Sequence, residues 1–182
     1  MNSPFPQPAP GFDDPLGLLR ACHMRMLMHC STLEKLPAQL EAGRRVELQE
    51  TVGKIRHYFN TAAHLHHQDE ERDLFPLLEE QSPDFNAAVR ELSGEHPELE
   101  TAWNILDTRL AELDTIDDTD ALDASIRAFT NAYRQHIQKE EQTILMPAEQ
   151  ALNAHDFKLL GRAMARRRNI SEDALPDSLK YP

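Results

Sequence analysis

His66-His67-Gln68-Asp69-Glu70-Glu71, leading to Leu74-Phe75-Pro76, decides the fold of this chain. It returns as His136-Ile137-Gln138-Lys139-Glu140-Glu141 before Leu145-Met146-Pro147. In an α-helix residues i and i+4 lie on one face about a turn apart, so HxxxE can set an imidazole and a carboxylate against one ion. With nine His and 17 Glu in 182 residues, chance gives about 0.8 such pairs (9 × 17/182). Four occur, namely His66 with Glu70, His67 with Glu71, His96 with Glu100 and His136 with Glu140.

Angular position separates the overlapping pairs. At about 100° per residue, Ile55, Phe59, Ala62 and Glu70 fall within about 40° of His66, whereas His67 and Glu71 lie roughly 100° to 140° round the helix. His66 and Glu70 therefore face the core. His67 and Glu71 are expected as a solvated flank pair, with support of a ligand as the alternative. The same projection groups Phe129, Ala132 and Glu140 around His136. His23 lies between Leu19 and Leu27, and His96 between Leu92 and Trp103. The chain looks internally doubled, since His23 precedes the first motif as His96 precedes the second.

Outward from these motifs, apolar residues recur at three- and four-residue spacing through four long stretches. The first opens with Asp13-Asp14-Pro15, an acidic cap with proline at the first helical position. It turns Leu16, Leu19, Met26, Leu27 and Cys30 inward and ends at Pro37 and Gly43. The second runs from about 44 to 76 with Val52, Ile55, Phe59, Ala62 and Leu74 on one face. The third runs from about 84 to 113 with Val89, Leu92, Leu99, Trp103 and Leu110 inward, kinked near Gly94 by Pro97. The fourth spans about 119 to 152, burying Leu122, Ile126, Phe129, Ala132 and Tyr133, and a short fifth covers about 156 to 167. Short loops and no sustained alternation predict an all-α, up-down-up-down four-helix bundle with an additional short C-terminal helix. The domain is expected over residues 13–170, after a flexible proline-rich arm (1–12) and before a tail (171–182) expected to fray.

A formal net charge of -12 disfavours nucleic acid and anionic lipid as partners. No stretch approaches the roughly 20 apolar residues that span a bilayer, and MNSPFPQPAP lacks the regions of a secretion signal, so the expected location is the cytoplasm. Cys22 and Cys30 have no zinc-type spacing and are expected as reduced thiols.

Each long helix directs one histidine at the bundle axis. Four inward histidines and two inward acids would leave buried charge unpaired unless a cation lies between them. Imidazole with carboxylate suits iron, manganese or zinc, and two glutamates able to bridge tolerate two divalent ions close together. Six protein ligands for two ions leave positions open for a small diatomic ligand or peroxide. Ferritin-like di-iron proteins carry ExxH pairs instead. Around this set, Tyr133 is expected either to pack in the core or to donate a hydrogen bond to a bound oxygen species. Glu100 has three readings: a ligand, a partner of a ligand histidine, or a water-facing residue. His29, His57, His64 and His155 are expected at the surface, Met24, Met26 and Met28 as packing residues, and Arg162, Arg166, Arg167 and Arg168 as charges at a helix C-terminus.

From about residue 14 to 152 the pattern resembles the hemerythrin-like, or HHE cation-binding, family of four-helix di-iron proteins. The resemblance rests on His23, on the run from His66 to Glu71 with Phe75-Pro76, on Glu95-His96 and on the run from His136 to Glu141. It implies His23, His66, Glu70, His96, His136 and Glu140 as ligands of two non-haem irons, oxo- or hydroxo-bridged, with manganese or zinc able to use the same donors. Oxygen-carrying hemerythrins have a further histidine on the third helix where this chain has Glu100, so the set resembles the branch with fewer ligands. The implied function is binding or sensing of dioxygen, nitric oxide or peroxide. The alternatives are an enzyme that reduces peroxide or nitric oxide or oxidises ferrous iron, and a metal-dependent interaction module.

Overall fold

The computed structural model describes residues 10–180. Helix α1 (Pro15–Leu33) starts where the sequence signals it, with the Asp14 side chain accepting from the Gly17 N–H and Pro15 in the first turn. It ends at Leu33, before Pro37, which sits instead in the first turn of a short α2 (Leu36–Glu41). Gly43, at φ 75°, supplies the left-handed turn into the next helix. Helix α3 (Arg45–Tyr58) continues through a π turn (Phe59–Ala63) into α4 (His64–Asp69), then through a second π turn (Glu70–Leu74) into α5 (Phe75–Gln81). Helix α6 (Asn86–Ala111) runs through Pro97 without interruption. Helix α7 (Thr119–Glu140) passes through a π turn (Glu141–Leu145) into α8 (Met146–Ala151), and α9 (Ala154–Arg167) follows behind a capping box of Asn153 and Asp156. No strand occurs among the described residues, and the fold is the expected all-α bundle with a further helix. No helix among them is long and apolar enough to cross a membrane.

The π turns explain two departures from simple periodicity. Pro76 and Pro147 offer no N–H, and each ring would collide with the carbonyl four residues earlier in a regular helix. In both places the turn ahead is widened, so that Phe75 N–H bonds to the Glu70 carbonyl and Met146 N–H to the Glu141 carbonyl. The second long helix therefore passes Pro76 and ends at Gln81. The earlier π turn shifts the register, and Ala63 is buried where Ala62 was expected.

The core divides into two apolar bodies. One gathers Met26, Cys30, Phe59, Trp103, Phe129 and Tyr133. The other gathers Leu16, Leu19, Phe75, Leu78, Leu92 and Ile144. Each long helical run contributes to both and crosses a polar layer between them.

Both ends of the domain dock on α9. The segment after Ser171, expected to fray, forms 3-10 turns at Glu172–Ala174 and Asp177–Leu179 and buries Leu175 and Leu179 beside Ala165. Arg162 Nη1 donates to the Leu179 carbonyl at 3.0 Å. The expected arm lies largely outside the described residues, but Phe12 packs on this patch, its carbonyl so close to Gly161 that any Cβ there would overlap it.

Candidate metal centre

The polar layer contains all six residues of the expected ligand set. His23 comes from α1, His66 from α4, Glu70 from the π turn after it, His96 from α6, and His136 and Glu140 from the end of α7. None is more than 5% exposed. His23, His66, Glu70 and Glu140 bring one donor atom each within 4.8 Å of one another. His23 Nε2 lies 3.0 Å from His66 Nε2 and 3.0 Å from Glu140 Oε2, and His66 Nε2 lies 2.6 Å from Glu70 Oε1. The same carboxylates reach the other two histidines, Glu70 Oε2 at 3.4 Å from His96 Nε2 and Glu140 Oε2 at 3.9 Å from His136 Nε2. Two imidazole pairs thus face each other across two shared carboxylates.

The donor set fits metal ions. Donors about 2.1 Å from one ion and at right angles to each other stand about 3 Å apart, close to the spacings here. Both oxygens of Glu70 and of Glu140, and Nε2 of His96 and of His136, are buried without a well-directed hydrogen-bond partner. Even the closest of these contacts, His66 Nε2 to Glu70 Oε1 at 2.6 Å, is badly aimed for an N–H···O bond, as expected of lone pairs directed at a common point between them. Orphaned buried acceptors on this scale would be costly in an ion-free core.

The outward nitrogens are held differently. His23 Nδ1 faces Glu141 at 2.9 Å, His96 Nδ1 faces Glu71 at 2.7 Å and His136 Nδ1 faces Glu95 at 2.8 Å. Such carboxylates fix the tautomer that leaves Nε2 free and strengthen it as a donor. Arg20 Nε in turn grips Glu141 at 3.1 Å, and Lys139 grips Glu95. Glu71, expected with His67 as a solvated flank, is half-exposed yet bonded to His96.

Charge in the layer follows from these contacts. Burial opposes a charge on His23, but Glu140 and then Glu141 outweigh it and raise its pKa to about 9. Burial likewise opposes charge on His66 and His96, and neighbouring glutamates, Glu70 foremost, raise both. Burial works against the Glu70 carboxylate, yet His66 and His96 hold it well below the usual carboxylate range. Burial leads in lowering His136, and burial with the neighbouring His96 lowers His67 far below its ordinary value.

His67 is the residue that angular reasoning misplaced. It is half-buried and joins His96 and His136 in a second group of nearby donors. Its ring stacks on His96 at 4.1 Å and 8°, so it lies over that imidazole, outside the plane in which His96 presents its lone pair. The Tyr133 hydroxyl lies 3.3 Å from His67 Nε2, in donating range. His67, Tyr133, His96 and Glu71 line a cavity of about 280 Å³ with Phe59, Trp103 and Asn60, the last two joined by a Trp103 Nε1–H bond to Asn60 Oδ1 at 2.7 Å. Glu100 is exposed on the rim of this cavity, outside both donor groups.

The arginines at the end of α9 have specific partners that helix polarity did not foretell. Arg167 pairs with Asp69 and Asp73, and Arg168 Nη2 reaches Asp69 Oδ2 at 2.6 Å. Asp69 is fully buried and directly precedes Glu70. The fifth helix is therefore clamped to the stretch that carries two of the candidate ligands.

Comparison with known proteins agrees with this geometry. A family model described as the hemerythrin HHE cation binding domain matches residues 14–148. A Haemophilus influenzae protein, described as an uncharacterized protein, is 35% identical over 168 residues, which cover 92% of this chain and 97% of its own length.

Proposed function

Since the chain belongs to the hemerythrin HHE cation-binding domain family, we propose that it is a non-haem di-iron binding protein whose centre takes up dioxygen or a related small ligand, nitric oxide or peroxide, for sensing or delivery. His23, His66, Glu70, His96, His136 and Glu140 hold the ions, and the two glutamates are shared between them. Two histidines with a carboxylate per ion and free positions is a donor set that suits ferrous iron. The bound irons supply open coordination positions and exchangeable electrons to a small ligand.

The observation that carries this reading is unequal access. His23 and His66 are sealed in the layer, whereas His96 adjoins the cavity lined by His67 and Tyr133. A molecule of a few atoms fits a space of about 280 Å³. Inside it Tyr133 O–H and the His67 ring supply hydrogen-bonding groups, and Phe59 and Trp103 keep one wall apolar. Neither half-buried His67 nor buried Tyr133 is fixed to a carboxylate by any hydrogen bond or ion pair among the described residues. That leaves them able to serve a guest.

Elemental analysis of protein from an iron-replete culture, paired with its visible spectrum, tests the proposal. Two irons per chain with bridged-ferric absorption are expected, and anaerobic reduction followed by air should produce a stable new band. Zinc or manganese at full occupancy in place of iron would overturn the iron assignment. Immediate irreversible oxidation without such a band would overturn dioxygen uptake.

A further inference from the structure

The doubling of the chain pairs His23 with His96 and His66 with His136. It also pairs the residues just before the first member of each pair, which are Cys22 and Glu95. Glu95 accepts from His136 Nδ1 at 2.8 Å. The equivalent nitrogen, His66 Nδ1, is buried and has no hydrogen-bonded oxygen or nitrogen partner among the described residues. The Cys22 thiol, itself 6% exposed, interacts with the His66 ring but makes no well-directed bond to that nitrogen. Three of the four histidines are thus backed by a carboxylate and the fourth by a thiol.

We propose that Cys22 is the positioning residue behind His66, and that the two ions are electronically unlike because a thiol stands where the other half-site has Glu95. This rests on the two-ion reading above. With Nε2 turned to an ion, His66 carries its proton on Nδ1, and a thiol sulfur accepts from it only weakly. A carboxylate accepts strongly and pushes electron density toward Nε2, making the imidazole a better donor. The ion between His96 and His136 receives two such strengthened imidazoles, the ion between His23 and His66 only one. Arg20 draws further on Glu141, the carboxylate behind His23, whereas Glu71 behind His96 has no cation paired with it among the described residues. The better-supplied ion is also the one beside the cavity.

Anaerobic loading of the full chain with ferrous iron enriched in 57Fe, followed by Mössbauer spectroscopy and equilibrium binding, tests this. The wild type should show two quadrupole doublets of equal area. Cys22→Asp should move one doublet and tighten that ion about tenfold, whereas Glu95→Gln should move only the other and weaken its ion by about 10- to 100-fold. If the buried carboxylate of Cys22→Asp prevents folding, Cys22→Ser takes its place and must move the same single doublet. One unsplit doublet in the wild type, a variant that moves both doublets together, or Cys22 variants that move neither would overturn the proposal while leaving two bound irons intact. A wild-type protein that binds no iron would instead remove the metal reading, and this inference with it.

Discussion

Asp69→Asn should be among the most damaging isosteric changes in the molecule outside the candidate ligand set. Asp69 is completely buried, and its two oxygens receive Arg167 and Arg168. Asparagine keeps the shape and removes the charge. Breaking a buried pair from one side typically costs about 3–5 kcal/mol, because the remaining charge has lost its partner. Two features bring this case below that range: Arg167 keeps Asp73, and the Arg167 and Arg168 side chains retain 13% and 21% exposure. A loss of about 2–3 kcal/mol follows, which in a chain of this size lowers Tm by roughly 5–10 °C. Thermal unfolding of ion-free protein at pH 7, followed by far-UV circular dichroism, reads it directly. Glu50→Gln is the control, since that pair with Lys54 is almost wholly solvent-exposed and should give no measurable shift. Adding Arg168→Met to Asp69→Asn should recover part of the loss by removing a stranded guanidinium. A drop below about 2 °C, or a double variant no better than the single, would refute the claim that α9 is locked to the ligand helix by a desolvated charge cluster.

Other outcomes follow from the same geometry. Glu70→Gln removes a carboxylate that reaches both histidine pairs, so on the proposed two-ion reading bound metal should fall from two ions per chain to one or fewer by elemental analysis, with helix content unchanged. In the ion-free protein, the His23 pKa raised to about 9 contributes stability that is complete below about 6.5 and lost as pH climbs toward 9; the difference in unfolding free energy between wild type and His23→Gln should shrink over that window. Metal affinity should rise over the same range, because ligation needs neutral imidazole, and calorimetry in buffers of different ionisation enthalpy should show proton release on binding at pH 7. Gly161→Ala forces α9 off the Phe12 carbonyl and should cost about 1–3 kcal/mol in chemical denaturation; a neutral result would show that the amino-terminal segment does not hold that position in solution.

The bundle and the six inward donors were legible because both depend on local spacing. Leu16, Leu19, His23, Met26 and Cys30 repeat with helical period, and HxxxE is a one-turn relation that survives in any helix. What escaped depends on contacts between distant stretches. Glu95 meets His136, Glu141 meets His23 and Asp69 meets Arg168 across tens of residues, with no periodic trace in either partner. One signal was present, since the second glutamate of each doubled motif serves the histidine that precedes that motif's counterpart, Glu71 for His96 and Glu141 for His23. His67 was lost because a residue about 100° from the core direction was assumed to face water, whereas here it faces the gap beside α6 that forms the cavity. Ala62 and Ala63 exchanged roles because a π turn adds a residue to the turn, which a constant 3.6 period does not foresee.

The split core has a bearing on how such a protein ages in a cell. An oily interior interrupted by a charged belt has its weakest plane at mid-height, where water gains most by entering. Ions filling the belt act as a cross-brace between the two greasy ends, so occupancy and lifetime are tied together. If the belt holds metal ions as proposed, an emptied belt would open the molecule from the middle rather than from its tips, and metal supply would then set how long the protein survives.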